Sequence, residues 1–389
     1  MHDFSAHYDW SFPVPVLYGP GRLAELGTIC AGNGMRNPLV VTDRASAHLP
    51  FVQGALDALA AAGLSTGLFA DVSPNPTDTD AARGVAQFRA GEHDGIVAIG
   101  GGSGMDGGKA IGLLASGRDD LWVFDMDRAA DESLGAGDFP PLVCIPTTAG
   151  TGAETESTAM VTDTEEWVKR CVWHPTYHPR AAVLDPEITF GLPRNLTAWT
   201  GVDALVHAVE AYTVPDFYPM CDGMALEGLR LVHRWLPEAL EQPQSVAARG
   251  GMLVGSCLAG ISFLKGLGQV HAISHMVGAE YDTQHGLTNA VILPVVLRYN
   301  APNIAEQVGP MSEAMGLKTR DFDSFHREIC TRLDSYGIPT SLAELGVEES
   351  AVERLSVKAF NDAATATNPR PSTPEAIAAL IREALVASR

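Results

Sequence analysis

From Pro38 to about Leu184 the sequence alternates short β-rich runs with Ala-rich stretches of helical period. The runs are "PLVVTD", "GLFADV", "GIVAIG" and "PLVCIPTT"; stretches such as "FVQGALDALAAAGL" and "MDGGKAIGLLA" lie between them. This alternation predicts βαβ units and a largely parallel sheet with helices on both faces. Beyond Leu192 the texture changes. "NLTAWTGVDALVHAVEAYT", "CDGMALEGLRLVHRWLPEAL", "QSVAARGGMLVGSCLAGISFL" and "TPEAIAALIREALVAS" are helical in period and poor in β-branched runs, with punctuation at Pro215, Pro219, Pro237 and Pro243. The boundary falls near "DPEITFGLPRN", giving an α/β domain over residues 1–192 and an all-helical domain over 193–389. A chain of 389 residues has room for two such cores.

Charge and composition narrow the partners. With 26 basic against 47 acidic residues the net charge is −21, which repels nucleic-acid backbones and anionic lipid head groups. Hydrophobic residues at 46% and charged residues at 19% are too apolar for disorder, and no uninterrupted apolar run approaches the roughly 20 residues that span a bilayer. "MHDFSAHYDW" has neither the basic start nor the apolar segment of a secretory signal, and six cysteines spread from Cys30 to Cys330 show no clustered spacing. The expectation is a soluble cytoplasmic protein with reduced thiols, acting on a small molecule, with no nucleic-acid or membrane partner.

The first half holds two glycine-rich turns. In "IVAIGGGSGMDGGKA" an apolar strand runs into Gly100, Gly101, Gly102 and Ser103 and a helix follows at once, so free N–H groups at a helix N-terminus can face an anion such as a diphosphate. The spacing is neither GxGxxG nor GxxxxGK[ST], and glycine-rich turns also serve packing alone. "IPTTAGTGAETES" offers Thr147, Thr148 and Thr151 beside Gly150 and Gly152. Two such loops at strand ends suit one extended ligand, although a pair of ordinary βα turns has the same signature. Asp43 ends "PLVVTD", where a carboxylate accepts from ribose hydroxyls and repels a 2′-phosphate; an Asp there also suits a helix N-cap.

The second half concentrates potential metal ligands. In "TGVDALVHAVEAY", Asp203 and His207 are four residues apart on one helical face, within a stripe of Val202, Leu205, Val206 and Val209. Buried ionisable groups need partners, and two potential ligands on one buried face suit a metal; an Asp–His hydrogen bond is the simpler alternative. "QVHAISHMVGAEYDTQHG" adds His271 and His275 at the same spacing and His285 at a loop-to-helix transition. Spacing alone does not decide which three histidines bind.

"GGGSGMDGGKA", "IPTTAGTGAE", "GVDALVHAVEAY" and "VHAISHMVGAEYDTQHG" occur in the order of four signature regions of one family, together with "LYGPG", "SPNPT" and "ATNPR". The chain resembles the iron-containing alcohol dehydrogenases, related to glycerol dehydrogenase and dehydroquinate synthase, over nearly its whole length. The resemblance implies a Rossmann-like, NAD-binding N-terminal domain and a helical metal-binding domain, in a dehydroquinate synthase-like architecture. It implies Asp203, His207, His271 and His285 as ligands of Fe(II) or Zn(II), with His275 in the same pocket without binding metal; His275, or solvent reached through it, is the candidate proton carrier. It also implies that Gly100, Gly101, Gly102 and Ser103 hold the diphosphate, that Asp106 shapes the cofactor loop, and that Thr147, Thr148 and Thr151 line the cofactor site. Asp43 then faces the adenosine ribose and favours NAD over NADP.

The activity implied is interconversion of a primary alcohol and its aldehyde by hydride transfer, in a homodimer or larger homo-oligomer. Rival readings are a dehydroquinate synthase-like lyase, a maleylacetate reductase-like enzyme and a non-catalytic binding module. Where such motifs often carry Pro and small alanines this chain has Gly104, Gly107 and Gly108, expected to loosen the loop, and Met276 stands where "SHP" is usual. On the substrate side the candidates are Thr158 and Lys265. A cation six residues before His271 suits an alcohol with an anionic tail, while a Lys beside two glycines also suits the solvated end of a helix.

Overall fold

The computed structural model describes residues 8–11, 14–387 and 389. These form two compact units: the first holds the described residues up to Thr148 with Gly152–Leu192 and Gln244–Gly250, the second Ala149–Thr151, Pro193–Pro243 and Gly251–Arg389. The change of unit at Leu192 thus has two exceptions, Ala149–Thr151 and Gln244–Gly250, which no shift in composition announces.

The strands are β1 (Tyr8–Ser11), β2 (Pro15–Tyr18), β3 (Pro38–Asp43), β4 (Gly67–Val72), β5 (Gly95–Gly100), β6 (Leu142–Pro146), β7 (Ala159–Asp163), β8 (Val168–Val172) and β9 (Ala181–Leu184). Helices α1 (Leu26–Gly32), α2 (Pro50–Ala61), α3 (Asp78–Ala90) and α4 (Gly102–Ala115) lie between them. Seven strands form one sheet in the order β1-β2-β9-β6-β5-β3-β4, antiparallel only at the β1 edge. Strands β7 and β8 form a separate antiparallel hairpin that the βαβ reading did not include.

Period-two alternation explains why the central strands are apolar throughout. Leu39, Val41, Ile96, Ala98, Leu142 and Cys144 face one side, packing with Val85 and Phe88 of α3 and Ile111 and Leu114 of α4. Val40, Val97, Ile99, Val143 and Ile145 face the other, with Leu26 of α1 and Ala55 and Leu59 of α2. Each buried Val, Leu, Ile or Phe among them contributes about 1.5–3 kcal/mol, so a polar residue on either face is costly. The chain runs outward from β3 to β4 and then crosses through α3 to β5 on the other side of β3. Such a reversal opens a crevice at the strands' carboxyl ends, here Asp43 and Gly100.

The second unit is helical: α5 (Arg194–Thr213), α6 (Pro219–Glu241), most of α7 (Val246–Ser262), α8 (Gln269–Tyr281), α9 (His285–Asn300), α10 (Ala305–Ala314), α11 (Phe322–Tyr336), α12 (Val352–Phe360), α13 (Ala363–Ala366) and α14 (Pro374–Val386). From Thr197 to Thr213 helix α5 is buried on nearly every side, which makes it the unit's central helix. Glycines set how closely its neighbours approach. A Cβ on Gly201 would lie 2.4 Å from Leu236 of α6, and one on Gly286 would lie 2.3 Å from the Trp199 carbonyl oxygen, so the first turn of α9 is pressed onto α5.

Although Arg249 interrupts its apolar run, Val246–Lys265 has the length and composition of a membrane span, with a mean hydropathy of 1.4. Its apolar stretch is 72% buried, and Gly251 and Gly255 sit against Trp235 and Val232 of α6, as in a core helix.

Candidate metal centre and glycine-rich loops

Three helices supply the centre. Asp203 and His207 lie one turn apart on α5, His271 lies on α8, and His285 is the first residue of α9, whose Gln284 cap accepts from the Leu287 N–H. One ligand atom from each lies within 4.8 Å of all the others. From Asp203 Oδ1 the distances to Nε2 of His285, His271 and His207 are 3.6, 3.8 and 4.0 Å. Four donors at ordinary metal–nitrogen distances around one tetrahedral ion stand about 3.4 Å apart, so a small contraction closes the set.

Asn289, one turn into α9, tests whether the donors suit a cation. Its amide nitrogen is 2.7 Å from Asp203 Oδ1, 3.1 Å from His285 Nε2 and 3.2 Å from His271 Nε2. Two amide protons cannot satisfy three acceptors, and Asn289 Oδ1 is buried without a hydrogen-bond partner among the described residues. Lone pairs in excess converge on one buried place, and a divalent ion fits that chemistry.

The outer nitrogen of each histidine fixes the direction of its lone pair. His271 Nδ1 is 2.6 Å from Glu210 Oε2, His207 Nδ1 is 3.3 Å from the Gly150 carbonyl, and His285 Nδ1 is 3.1 Å from the Ser274 hydroxyl. With the proton held on Nδ1, Nε2 is left to bind. Glu210 also accepts from the N–H groups of Gly268 and Val270 at the start of α8, at 3.0 and 2.7 Å. Burial nevertheless pushes Glu210 up to about 7, and burial followed by the His207 charge holds His271 well below its usual range. Neutral imidazole is therefore the state in which His271 is held. Glu210 was missed in the sequence although it continues the Asp203–His207 stripe by one turn; Gly150, Ser274 and Asn289 carry no comparable signal.

His275 belongs to a different arrangement. Its ring stacks on His285 with centroids 5.5 Å apart, while its Nδ1 is 2.9 Å from Asp362 Oδ2 rather than facing the four-ligand group. Lys265, a candidate for meeting an anionic tail, is buried, and its Nζ lies 2.5 Å from Asp222 Oδ1. Its charge is already matched. The neighbouring Phe263 ring packs on His207 at 4.9 Å.

In the first unit, α4 begins at Gly102 with Gly101 as its N-cap, and no side chain caps it. The Thr147 N–H donates to the Gly100 carbonyl at 2.8 Å, so the two glycine-rich loops start side by side. Gly100 has φ of 153°, a conformation suited to glycine, and a Cβ there would lie 3.2 Å from Asp43 Oδ2. Asp43 is not a helix cap. Its oxygens accept from the Ser46 N–H and hydroxyl at 3.0 and 2.8 Å, holding the carboxylate beside Gly100. Ser103 and Thr148 are half-buried and Thr147 is buried, whereas Thr151 and Gly150 belong to the second unit.

The expected loosening by Gly104, Gly107 and Gly108 is overturned, because all three lie inside α4. A Cβ on Gly107 would lie 2.7 Å from Val72, and one on Gly108 would lie 2.6 Å from the Ala98 Cβ, so these glycines draw the helix tightly onto the sheet. Below them lies an ionic group in which Lys109 and Glu156 are buried and Asp106 is half-buried. Lys109 Nζ donates to the Thr158 carbonyl at 2.8 Å, the Thr158 hydroxyl bonds Glu156 Oε2 at 2.5 Å, and Asp106 Oδ2 accepts from the Met160 N–H at 3.3 Å. Burial pushes Asp106 up to about 6 and Glu156 up to about 8, each opposed by Lys109. The Thr158 hydroxyl is thereby engaged inside the first unit.

The chain is similar to known proteins over nearly its whole length. Residues 13–186 match the family described as iron-containing alcohol dehydrogenase, and residues 197–385 match the Fe-containing alcohol dehydrogenase family, C-terminal. The 1,3-propanediol dehydrogenase of Klebsiella pneumoniae is 37% identical over 97% of this chain and 98% of its own length. The NAD-dependent methanol dehydrogenase of Bacillus methanolicus is 35% identical over 96% of this chain and 98% of its own. A crystal structure of 1,3-propanediol oxidoreductase superposes with a TM-score of 0.90 at 35% identity, covering 98% of this chain and 99% of that one. The chain belongs to the iron-containing alcohol dehydrogenase family.

Proposed function

We propose that this protein is an NAD-linked, metal-dependent dehydrogenase that interconverts a small primary alcohol and its aldehyde, with Asp203, His207, His271 and His285 holding Fe(II) or, as an alternative, Zn(II). The convergence of one carboxylate oxygen and three Nε2 lone pairs within 4.8 Å carries this reading. One anionic oxygen and three imidazoles suit a borderline divalent ion, which supplies Lewis acidity towards an alcohol oxygen. Bound NAD would supply the hydride acceptor for the carbinol carbon.

The chain's own residues do the rest. Glu210, Gly150 and Ser274 keep the ligand imidazoles turned inwards. His275 takes the alcohol proton at Nε2, its other nitrogen being engaged by Asp362. The N–H groups at the start of α4 receive the cofactor diphosphate, and Asp43 receives the adenosine ribose. Phe263 packs against the His207 ring and helps to hold it in place. Because Lys265 is neutralised by Asp222, an uncharged alcohol or short diol is the better match than an ω-hydroxy acid.

The test is NADH formation, followed by absorbance, with protein loaded anaerobically with Fe(II) or Zn(II). Methanol, ethanol, 1-propanol, 1,3-propanediol and 4-hydroxybutyrate are offered in turn. Turnover of the neutral primary alcohols that disappears with chelator and returns with metal is the expected result. No turnover with any alcohol or corresponding aldehyde would overturn the reading, and turnover confined to the acid would overturn its substrate part.

A further inference from the structure

The motif "ATNPR" and the residues just before it have a place in the fold that the four-ligand centre does not account for. Asp362 Oδ1 caps the short α13, accepting from the Ala364 N–H at 2.9 Å. Asn368, six residues on, accepts from the Gln269 N–H at 3.1 Å and is locked to Asn300 by a reciprocal pair of amide hydrogen bonds at 3.0 and 2.9 Å. Thr367 Oγ1 donates to the Leu267 carbonyl at 2.7 Å. The segment from Asp362 to Asn368 is therefore strapped along the start of α8, the helix that carries His271 and His275. The second oxygen of Asp362, left over from capping, meets His275 Nδ1 at 2.9 Å. Both partners are largely buried, with side-chain exposures of 12% for His275 and 9% for Asp362, so water competes weakly for this bond.

We propose that Asp362 is a positioning residue for the alcohol–aldehyde reaction: it holds the His275 proton on Nδ1 and so presents the Nε2 lone pair to the substrate hydroxyl. The inference rests on the dehydrogenase reading for its chemistry. In the oxidative direction the alcohol O–H proton passes to His275 Nε2, the carbinol hydride passes with its electron pair to the oxidised nicotinamide, and the carbonyl forms. The resulting imidazolium keeps its Nδ1–H on the Asp362 carboxylate, which offsets the charge. Solvent then removes the proton. Without an acceptor at Nδ1 the ring has no reason to prefer this tautomer, and a donor there enforces the wrong one.

Asp362→Asn separates positioning from folding. Its carbonyl oxygen keeps the Ala364 cap, while its NH2 group faces His275 Nδ1 and drives the ring proton to Nε2. In metal-free protein labelled with 15N-histidine, wild type is expected to show His275 protonated at Nδ1 and bare at Nε2, and Asp362→Asn the reverse. With metal and NAD, Asp362→Asn is expected to lower kcat by about 100-fold with KM and metal content nearly unchanged. Asp362→Glu restores part of the rate, and Asp362→Asn added to His275→Ala costs little more than His275→Ala alone. A wild-type His275 bare at Nδ1 would overturn the proposal, whether or not any alcohol is turned over. So would multiplicative losses in the double variant, or a kcat loss matched by metal loss. If no alcohol reacts while the tautomer still reverses, the dehydrogenase reading fails and the Asp362–His275 positioning stands.

Discussion

The first unit's proposed cofactor contacts are main-chain groups at Gly100, Gly101 and Gly102, behind which Gly107 and Gly108 press α4 onto Val72 and Ala98. The second unit brings together four side chains from three helices, and each of the three histidines is turned by a hydrogen bond to its outer nitrogen. Main-chain donors survive most substitutions, provided the packing that holds them is intact. A side-chain centre loses a ligand with one substitution while the helices beneath it stay folded. The two units should accordingly fail in different ways: the second abruptly and locally, the first gradually and through its packing.

The largest expected effect sharpens that contrast. His271→Ala removes a ligand and leaves Glu210 on the N–H groups of Gly268 and Val270, so α8 keeps its start. Metal affinity is expected to fall by well over 100-fold, beyond the usual cost of losing an outer-sphere partner, and turnover with it. NAD binding, measured by fluorescence or calorimetry, should be unaffected. His275→Ala should keep its metal and lose rate. A His275→Ala protein that is empty of metal beside a His271→Ala protein that is full would reverse the roles given to the two histidines.

An intermediate effect is expected at Asp43, the side chain proposed to meet the adenosine ribose. Asp43 is held by Ser46 beside Gly100, and its negative charge disfavours a 2′-phosphate. Asp43→Gly is expected to narrow the preference for NAD over NADP by about tenfold, or about 1.4 kcal/mol, mostly through KM. Unchanged selectivity would mean that the first unit discriminates by main chain alone, and the contrast between the units would be even sharper.

How much of this was legible in the sequence follows the same division. The α5 stripe was visible because Asp203 and His207 are one turn apart and local geometry puts them on one face. The identical spacing of His271 and His275 was uninformative by itself. What separates them is a partner far along the chain, Glu210 for one and Asp362 for the other. Lys265 looked free for the same reason, since Asp222 lies 43 residues away. The glycines of α4 were misread because their reason for being small is Val72 on another strand and Ala98 on the strand before the loop. Strand and helix periods are local signals; the groups that set tautomer, charge and close approach are not.

The smallest expected effect lies under α4, and it probes whether the first unit's packing bears on its site. Glu156 is buried with Asp106 nearby, and burial raises it from 4.5 to about 8 against the opposing pull of Lys109 and Thr158. A carboxyl raised in the folded state binds its proton more tightly there than in the unfolded chain. Its contribution to stability is therefore complete below about 4.5 and is lost as the pH rises towards and through about 8. Glu156→Gln keeps the size and a hydrogen-bonding group for Thr158 but has nothing to ionise. Wild type should lose several degrees of Tm relative to the variant between pH 5 and pH 8.5, with the metal content of both unchanged. If the two melting curves stay parallel across that range, Lys109 compensates Glu156 fully and the buried ionic group is a fixed pair. If metal is lost along with Tm, the ionic group acts beyond the first unit, and the independence of main-chain and side-chain sites fails.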